Sequence, residues 1–313
     1  MRAAGVRQLG GPVELLQLPA PRAVRADEVL IDVQACGAGN WDEFVRTGGW
    51  DTGILPPMAL GVEAAGLVAA VGNSVEGISV GDVVTTHSLP LREQGSWAEK
   101  FIAAAGHVAV VPPGVPVDVA AAFPVPALTA DQALTEGIDL KSGQTVLVNG
   151  AGGVTGGMLV QLASHRGARV LATSSQDDAA RISALGADIV LDYHQPDWPQ
   201  RAISMTGGAD AAVNAAPSGA RDALRAVRDG GRLATIAGDP PAAERGIAVV
   251  PVLVAPDGAR LRRLAGLLGQ GAIAISVAAF YSLEQAGEAL EQARHGSHGA
   301  ATVLIPGDLV HSP

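Results

Sequence analysis

The chain has 313 residues, enough for two domains or one large one. With 48% apolar and 17% charged residues it is not a disordered chain, and aromatics at 3% leave Ala, Val, Leu and Ile to build the core, as buried parallel strands do. A balance of 21 basic to 31 acidic residues, net −10, argues against nucleic acid or an anionic membrane as partner, and a lone cysteine, Cys36, excludes an intramolecular disulfide and suits a reducing, cytoplasmic compartment.

The opening Met1-Arg2-Ala3-Ala4-Gly5 lacks the apolar core of a signal peptide. From about 28 to 111, short β-rich runs at 29–33, 66–71 and 82–85 are punctuated by Gly, Pro and Asn, which predicts a compact β domain. From about 144, strands and helices alternate. Strands are expected at 144–149, 169–173, 189–191, 211–214 and 233–237, with helices at 158–165, 177–185 and 220–228. That order implies right-handed crossovers and a doubly wound parallel sheet, an α/β fold. Residues 142–165 carry no charge and are long enough for a membrane span, but six glycines make a strand, a tight turn and a helix the better reading. Helices at 258–268 and 282–294 and strands at 274–277 and 302–305 complete the chain. Periodicity leaves open whether these last strands extend the parallel sheet or return to the β domain.

The sharpest motif is the strand running into Gly150-Ala151-Gly152-Gly153-Val154-Thr155-Gly156-Gly157 and then an apolar helix. Glycines at 150, 153 and 156 form a G-x-x-G-x-x-G variant of the dinucleotide fingerprint. Small residues let a pyrophosphate approach the backbone beside a helix N-terminus whose free N–H groups and dipole favour an anion. Gly150, Gly153, Val154, Thr155 and Gly156 are thus the candidate cofactor cradle. The next strand ends in Ser174-Ser175 with no acid to meet a ribose 2′-hydroxyl. Hydroxyls suit a 2′-phosphate, so NADPH is favoured over NADH. Asp177 and Asp178 work against that preference, although Ser175-x-x-Asp178 also reads as a capping box.

Gly150–Gly157 joins Gly61-Val62-Glu63-Ala64-Ala65-Gly66, Gly81-Asp82-Val83-Val84, Gly95-Ser96-Trp97-Ala98-Glu99 and Ala127-Leu128-Thr129-Ala130 in one order along the chain. With these segments the sequence resembles the medium-chain dehydrogenase/reductase superfamily, in particular its zinc-independent, zeta-crystallin-like quinone oxidoreductase branch. The resemblance implies a GroES-like β domain at 1–121 and 256–313 with an inserted Rossmann domain at 122–255, the last strands returning to the first domain. Zinc-dependent relatives take metal ligands from Cys-Gly-x-Cys-His and Gly-His-Glu segments. Here these read Cys36-Gly37-Ala38-Gly39-Asn40 and Gly61-Val62-Glu63, so both ligands are replaced and no catalytic zinc is expected.

The resemblance further implies that Asn40 binds the nicotinamide ribose and Thr129 holds the ring, the two positioning residues of the reaction. Ser174 and Tyr193 match contacts of the 2′-phosphate, where the family's basic residue falls on Asp178. Ala216 and Gly238 match the strand ends that the nicotinamide side of the cofactor passes. Without the resemblance, Asn40 reads as a turn cap, Thr129 as the cap of a helix starting near Ala130, and Tyr193 as packing under the sheet. Enoyl-thioester reductases of the family carry Gly-x-Tyr as proton donor where this chain has Gly48-Gly49-Trp50, and indole is no acid near neutral pH. Trp41, Trp50 and Phe44 could wall a flat acceptor or fill the β domain's core.

Three other features are set aside. Gly77-Ile78-Ser79-Val80-Gly81 matches a hydrolase nucleophile elbow but lacks a following helix; His295-x-x-His298 has metal-like spacing without a third ligand; Cys36 reads as buried and inert. Glu63 is either a carboxylate able to position water or an ion-pair partner. The expected activity is NADPH-dependent reduction of a quinone or of the activated C=C bond of an enone or enal. The alternatives are a trans-acting enoyl-thioester reductase and a non-catalytic NADP(H)-binding protein. A homodimer is expected through the apolar run 247–254.

Overall fold

The computed structural model describes residues 1–296 and 298–307. The chain folds as two units, Met1–Val125 joined by the chain from Ala255, and Pro126–Val254.

In the first unit the strands are β1 (Arg2–Val6), β2 (Glu14–Gln17), β3 (Glu28–Ala38), β4 (Met58–Ala59), β5 (Glu63–Val71), β6 (Val83–His87), β7 (Lys100–Ala104) and β8 (Val108–Val110). Helix α1 (Trp41–Thr47) follows β3 and α2 (Val117–Ala121) follows β8. Strands β2, β1 and β4 form a small antiparallel sheet, while β3, β5, β6 and β8 lie side by side in a larger one with β7 on β3. Alternation along β3 buries Val29, Ile31, Val33 and Ala35. Two positions along β3 and β5 have no room for a side chain: a Cβ on Gly66 would overlap the Asp32 carbonyl oxygen, and one on Gly37 the Glu63 carboxylate.

The second unit opens with α3 (Pro124–Gln132), which crosses the boundary, and a π-helical turn at Ala133–Gly137. It continues β9 (Thr145–Asn149), α4 (Val154–His165), β10 (Arg169–Ser174), α5 (Ala179–Ala184), β11 (Ile189–Asp192), α6 (Trp198–Thr206), β12 (Ala209–Asn214), α7 (Ala220–Ala226), β13 (Val227–Thr235) and β14 (Ala248–Pro251). All five pairings are parallel, in the order β11-β10-β9-β12-β13-β14. Counted within the unit this is 3-2-1-4-5-6, with its switch point between β9 and β12, where open α/β sheets bind ligands. The sheet is dry: Val146, Leu147, Val148, Val170, Leu171 and Val213 are fully buried. Alanines such as Ala212, Ala220 and Ala223 let the helices pack closely, which is how a core forms with few aromatics.

The chain then forms α8 (Gly258–Gly269), β15 (Val277–Ser282), α9 (Ala286–His295) and β16 (Ala301–Ile305). β16 pairs antiparallel with β3, Leu304 opposite Cys36, so the last strands return to the first unit. The strand expected at 274–277 instead occupies Val277–Ser282, because its parallel register runs from Val277 opposite Ala301 to Ser282 opposite Ile305. The helix expected from 282 starts at Ala286: Ser282 and Gln285 make a capping box around a short 3-10 turn. α4 begins at Val154 rather than 158, since the last residues of the glycine turn are already helical and Gly157 N–H donates to Gly153 O (2.8 Å). Residues 142–165 thus form a strand, a turn and a helix, and no helix among the described residues is long and apolar enough to cross a membrane.

Candidate cofactor and acceptor site

The glycine turn sits at the switch point and is tied to its neighbours by side chains at the C-terminal ends of four strands. Gly150 has φ +85°, and its N–H donates to Thr173 Oγ1 (3.0 Å), whose hydroxyl donates to Asn149 Oδ1 (2.6 Å). Asn149 Nδ2 donates to Asn214 Oδ1 (2.7 Å), and Asn214 Nδ2 to Asp239 Oδ1 (3.0 Å) and Ala216 O (2.9 Å). Thr235 closes the chain by donating to Asp239 Oδ1 (2.6 Å), while Asp239 Oδ2 accepts from Ala220 N–H (3.1 Å). This buried network fixes the loops that carry Gly150, Ala216 and Gly238. Sequence reading missed it; the polar residue ending each of β9, β12 and β13 was its visible signal.

The three fingerprint glycines differ. A Cβ on Gly156 would overlap the Gly150 carbonyl oxygen, and one on Gly150 would come within 2.8 Å of Ala216 N. A Cβ on Gly153 would meet nothing nearer than Gly150 O at 3.8 Å, so no protein atom crowds that space. Gly153 also starts α4, a 12-residue helix whose first N–H groups, at Val154, Thr155 and Gly156, have no intrahelical acceptor. Uncrowded space beside the free N–H groups of a helix start fits a pyrophosphate.

At the end of β10, Ser174 is buried and its hydroxyl donates to Ser175 O (2.8 Å). Ser175 Oγ accepts from Asp178 N–H (3.3 Å) and donates to Asp178 Oδ2 (3.1 Å), but this closes a turn rather than the expected capping box, because α5 starts only at Ala179 with Asp178 itself as N-cap. Asp178 is paired with Arg181 (3.0 Å), whose guanidinium also donates to Gly152 O (2.9 Å). Tyr193 is not packed under the sheet. It is 51% exposed just past β11, and its ring lies 4.1 Å from that of His194. Thr129 lies nearly buried inside α3 and caps no helix, because α3 already starts at Pro124.

In the first unit, Asn40 is exposed immediately before α1, and its side chain makes no cap. Gly39 has a reason of its own to lack a side chain, since a Cβ there would overlap the Trp41 ring. The indole of Trp41 fills the space beside Gly39, with a buried Nε1 that has no acceptor. Trp50 is half-buried, 6.2 Å from the His87 ring, whereas Phe44 is 59% exposed and belongs to no core.

Beneath these lies a buried acid pair. Asp42 Oδ2 accepts from Gly39 N–H (2.9 Å) while Oδ1 has no partner, and burial pushes its carboxyl up to about 8. Glu63 Oε2 accepts from Val125 N–H (2.7 Å); burial, reinforced by nearby Asp42, holds it well above the usual carboxylate range. Glu63 has no cationic partner among the described residues, so its ion-pair reading is corrected: it is a buried hydrogen-bond acceptor for the backbone. His87 Nδ1–H donates to Val62 O (3.1 Å), Nε2 is left unpartnered, and the imidazole is pushed down to about 4, chiefly by burial. Asp42 and His87 escaped sequence reading because neither lies in a motif. Cys36 is buried with Sγ 3.7 Å from Leu304 O, and burial raises its thiol as an inert residue requires.

Ser79 sits in a turn, its N–H donating to Asp82 Oδ2 (2.8 Å), with β6 and no helix following. His295 ends α9 and bonds Glu291 O (2.8 Å), and among the described residues no group of three or more His, Cys, Asp or Glu could hold a metal ion.

Residues 25–113 match the alcohol dehydrogenase GroES-like domain family, and residues 154–266 the zinc-binding dehydrogenase family. A quinone oxidoreductase from Lama guanicoe is 37% identical over 185 residues, 58% of this chain; the match spans only 55% of that relative's length. Among solved structures, an NAD-dependent alcohol dehydrogenase superposes with a TM-score of 0.87 at 29% identity, covering 98% of this chain and 100% of that one. A mycobacterial protein complexed with NADPH gives a TM-score of 0.84 at 30% identity with the same coverage.

Proposed function

From the premise that this chain belongs to the medium-chain dehydrogenase/reductase family, in its quinone oxidoreductase-like branch, we propose that it is a zinc-independent, NADPH-dependent oxidoreductase of quinones or α,β-unsaturated carbonyls. The observation that carries this reading is the uncrowded space at Gly153 over the N-terminus of α4. Reduced nicotinamide, when bound, supplies a hydride.

The chain's own residues bind and orient. Gly150, Gly153, Val154, Thr155 and Gly156 hold the pyrophosphate; Ala216 and Gly238 border the path toward the nicotinamide; Asn40 holds its ribose and Thr129 its ring. Ser174, Ser175 and Tyr193 flank the 2′-phosphate, and Asp178 does not repel it strongly because Arg181 already neutralises that carboxylate. Trp41 and Trp50, both in the first unit, are the residues that would contact a flat acceptor. Gly39 and Val62, at positions where zinc-dependent relatives carry ligands, leave no Lewis acid to stabilise an alkoxide, so reduction of an already polarised acceptor is the chemistry that remains. Charge arriving on such an acceptor spreads into an enolate that hydrogen bonds stabilise. The single buried thiol suits work in the cytoplasm.

The test is NADPH consumption, followed at 340 nm, with benzoquinone, naphthoquinone and trans-2-alkenals. Turnover with at least one class is expected. Thermal stabilisation by NADPH with no turnover on any acceptor supports a non-catalytic binding protein, and turnover confined to crotonyl thioesters supports an enoyl-thioester reductase.

A further inference from the structure

Within the second unit, a solvent-open recess of about 310 Å³ lies between the ends of β10 and β11 and the helices α5 and α6; Ser175, Gln176, Ala179, Asp192 and Arg201 line it. Two basic side chains come from this neighbourhood, and their circumstances differ. Arg181 is committed, to Asp178 Oδ1 through Nε (3.1 Å) and Nη2 (3.0 Å) and to Gly152 O. Arg201 makes no ion pair and no side-chain hydrogen bond with any described residue; only its backbone N–H is engaged, by Asp197 O (3.0 Å). Its place is set by α6, which buries Trp198 and Ala202 against Leu147, Leu171 and Leu191 and so leaves the intervening position 201 on the helix flank. The recess also holds a carboxylate. Asp192 Oδ1 accepts from the N–H (3.0 Å) and Nδ1 (2.9 Å) of His194, which keeps it ionised.

Resting on the dinucleotide reading above, we propose that this recess seats the 2′-phosphate of NADPH, with Arg201 as its counter-charge and Asp192 as the group that limits the preference over NADH. A 2′-phosphate carries close to two negative charges and three acceptor oxygens, and a free guanidinium meets two of those oxygens at once. Arg201 stands on a different helix from Asp178, 23 residues later in the chain. The recess is wide enough for a phosphate and its hydration, and Ser175 and Ala179 are small enough to leave it open.

The test measures dissociation constants of the whole chain for NADPH, NADH, 2′,5′-ADP and 5′-AMP by isothermal titration. Arg201→Ala is expected to weaken NADPH and 2′,5′-ADP by about 10- to 100-fold, the range of a lost charge-assisted bond, and to change NADH and 5′-AMP by less than about twofold. Arg201→Lys retains part of the affinity, and Asp192→Asn tightens NADPH selectively. Arg201 is exposed, so its variants keep the wild-type melting temperature, which is measured in parallel. Equal weakening of both dinucleotides, or of neither, overturns the assignment while leaving the dinucleotide reading intact. A wild-type chain that binds neither dinucleotide overturns both.

Discussion

Gly153 and Gly156 lie three residues apart in one turn and answer to different demands. Gly156→Ala forces a methyl group into the Gly150 carbonyl and is expected to cost about 1–3 kcal/mol of stability, read as a lower urea midpoint. Gly153→Ala meets open space at φ −81°, so its stability stays within about 0.5 kcal/mol of wild type while NADPH affinity falls about tenfold. Loss of stability at 153 without loss of affinity contradicts the cradle. Sequence spacing alone put the two glycines on equal standing, because spacing carries no information on which neighbouring atoms close in. Asp42 and His87 set a pH dependence of opposite signs. Asp42, raised from 3.8 to about 8, holds a proton in the folded state that the unfolded chain has lost, so its contribution falls as pH rises across that window. His87, lowered from 6.5 to about 4, binds its proton more readily in the unfolded chain, so stability rises with pH between those values and is level above 6.5. Stability is therefore expected to decline from pH 6.5 to 8, Glu63 adding to the decline with the same sign, and Asp42→Asn to make it shallower; parallel urea-denaturation profiles for the two proteins exclude the protonated Asp42 carboxyl if they keep the same slope.

At the scale of elements, the C-terminal ends of β9, β10, β12 and β13 act together through Asn149, Thr173, Asn214, Thr235 and Asp239. Thr173→Val removes both the acceptor for Gly150 N–H and the donor to Asn149, at a cost of about 1–3 kcal/mol, and it should weaken NADPH binding although residue 173 is itself fully buried. Unchanged affinity separates the network from the cradle. β14 is the edge of the parallel sheet, with Val249 and Val250 half-buried, and we propose that a second copy pairs there. Sedimentation at micromolar concentration is expected to give a dimer that Val250→Lys dissociates; a wild-type monomer sinks the pairing. The alternating strands and helices from 144 to 235 were legible because each buried strand is a compact apolar run bounded by turn residues. Strand β15 was misplaced because its position depends on a partner, β16, about twenty residues later. The network was illegible for the same reason: five polar residues look like ordinary strand ends until a sheet order brings them side by side.

For the whole molecule, a net charge of −10 opposes anions at long range, so recognition of an anion rests on a cation placed at the site itself, the part proposed for Arg201. The family resemblance read from scattered glycine motifs carried the return of the last strands to the first unit, which periodicity alone could not supply. That return has a consequence for how the protein is made. Leu304 lies opposite Cys36 across the β16–β3 ladder, a separation of 268 residues. During synthesis the Cys36 end of β3 must wait for nearly the entire polypeptide before its β16 partner emerges, although the rest of β3 pairs earlier with β5 and β7, whereas the unit holding the glycine turn is complete in one uninterrupted stretch. A ribosome-stalled chain with its first 260 or so residues outside the exit tunnel should already protect the amides of β9 and β12 from hydrogen exchange and leave those of β3 open at its Cys36 end, so the glycine turn is in place before the end of β3 is paired.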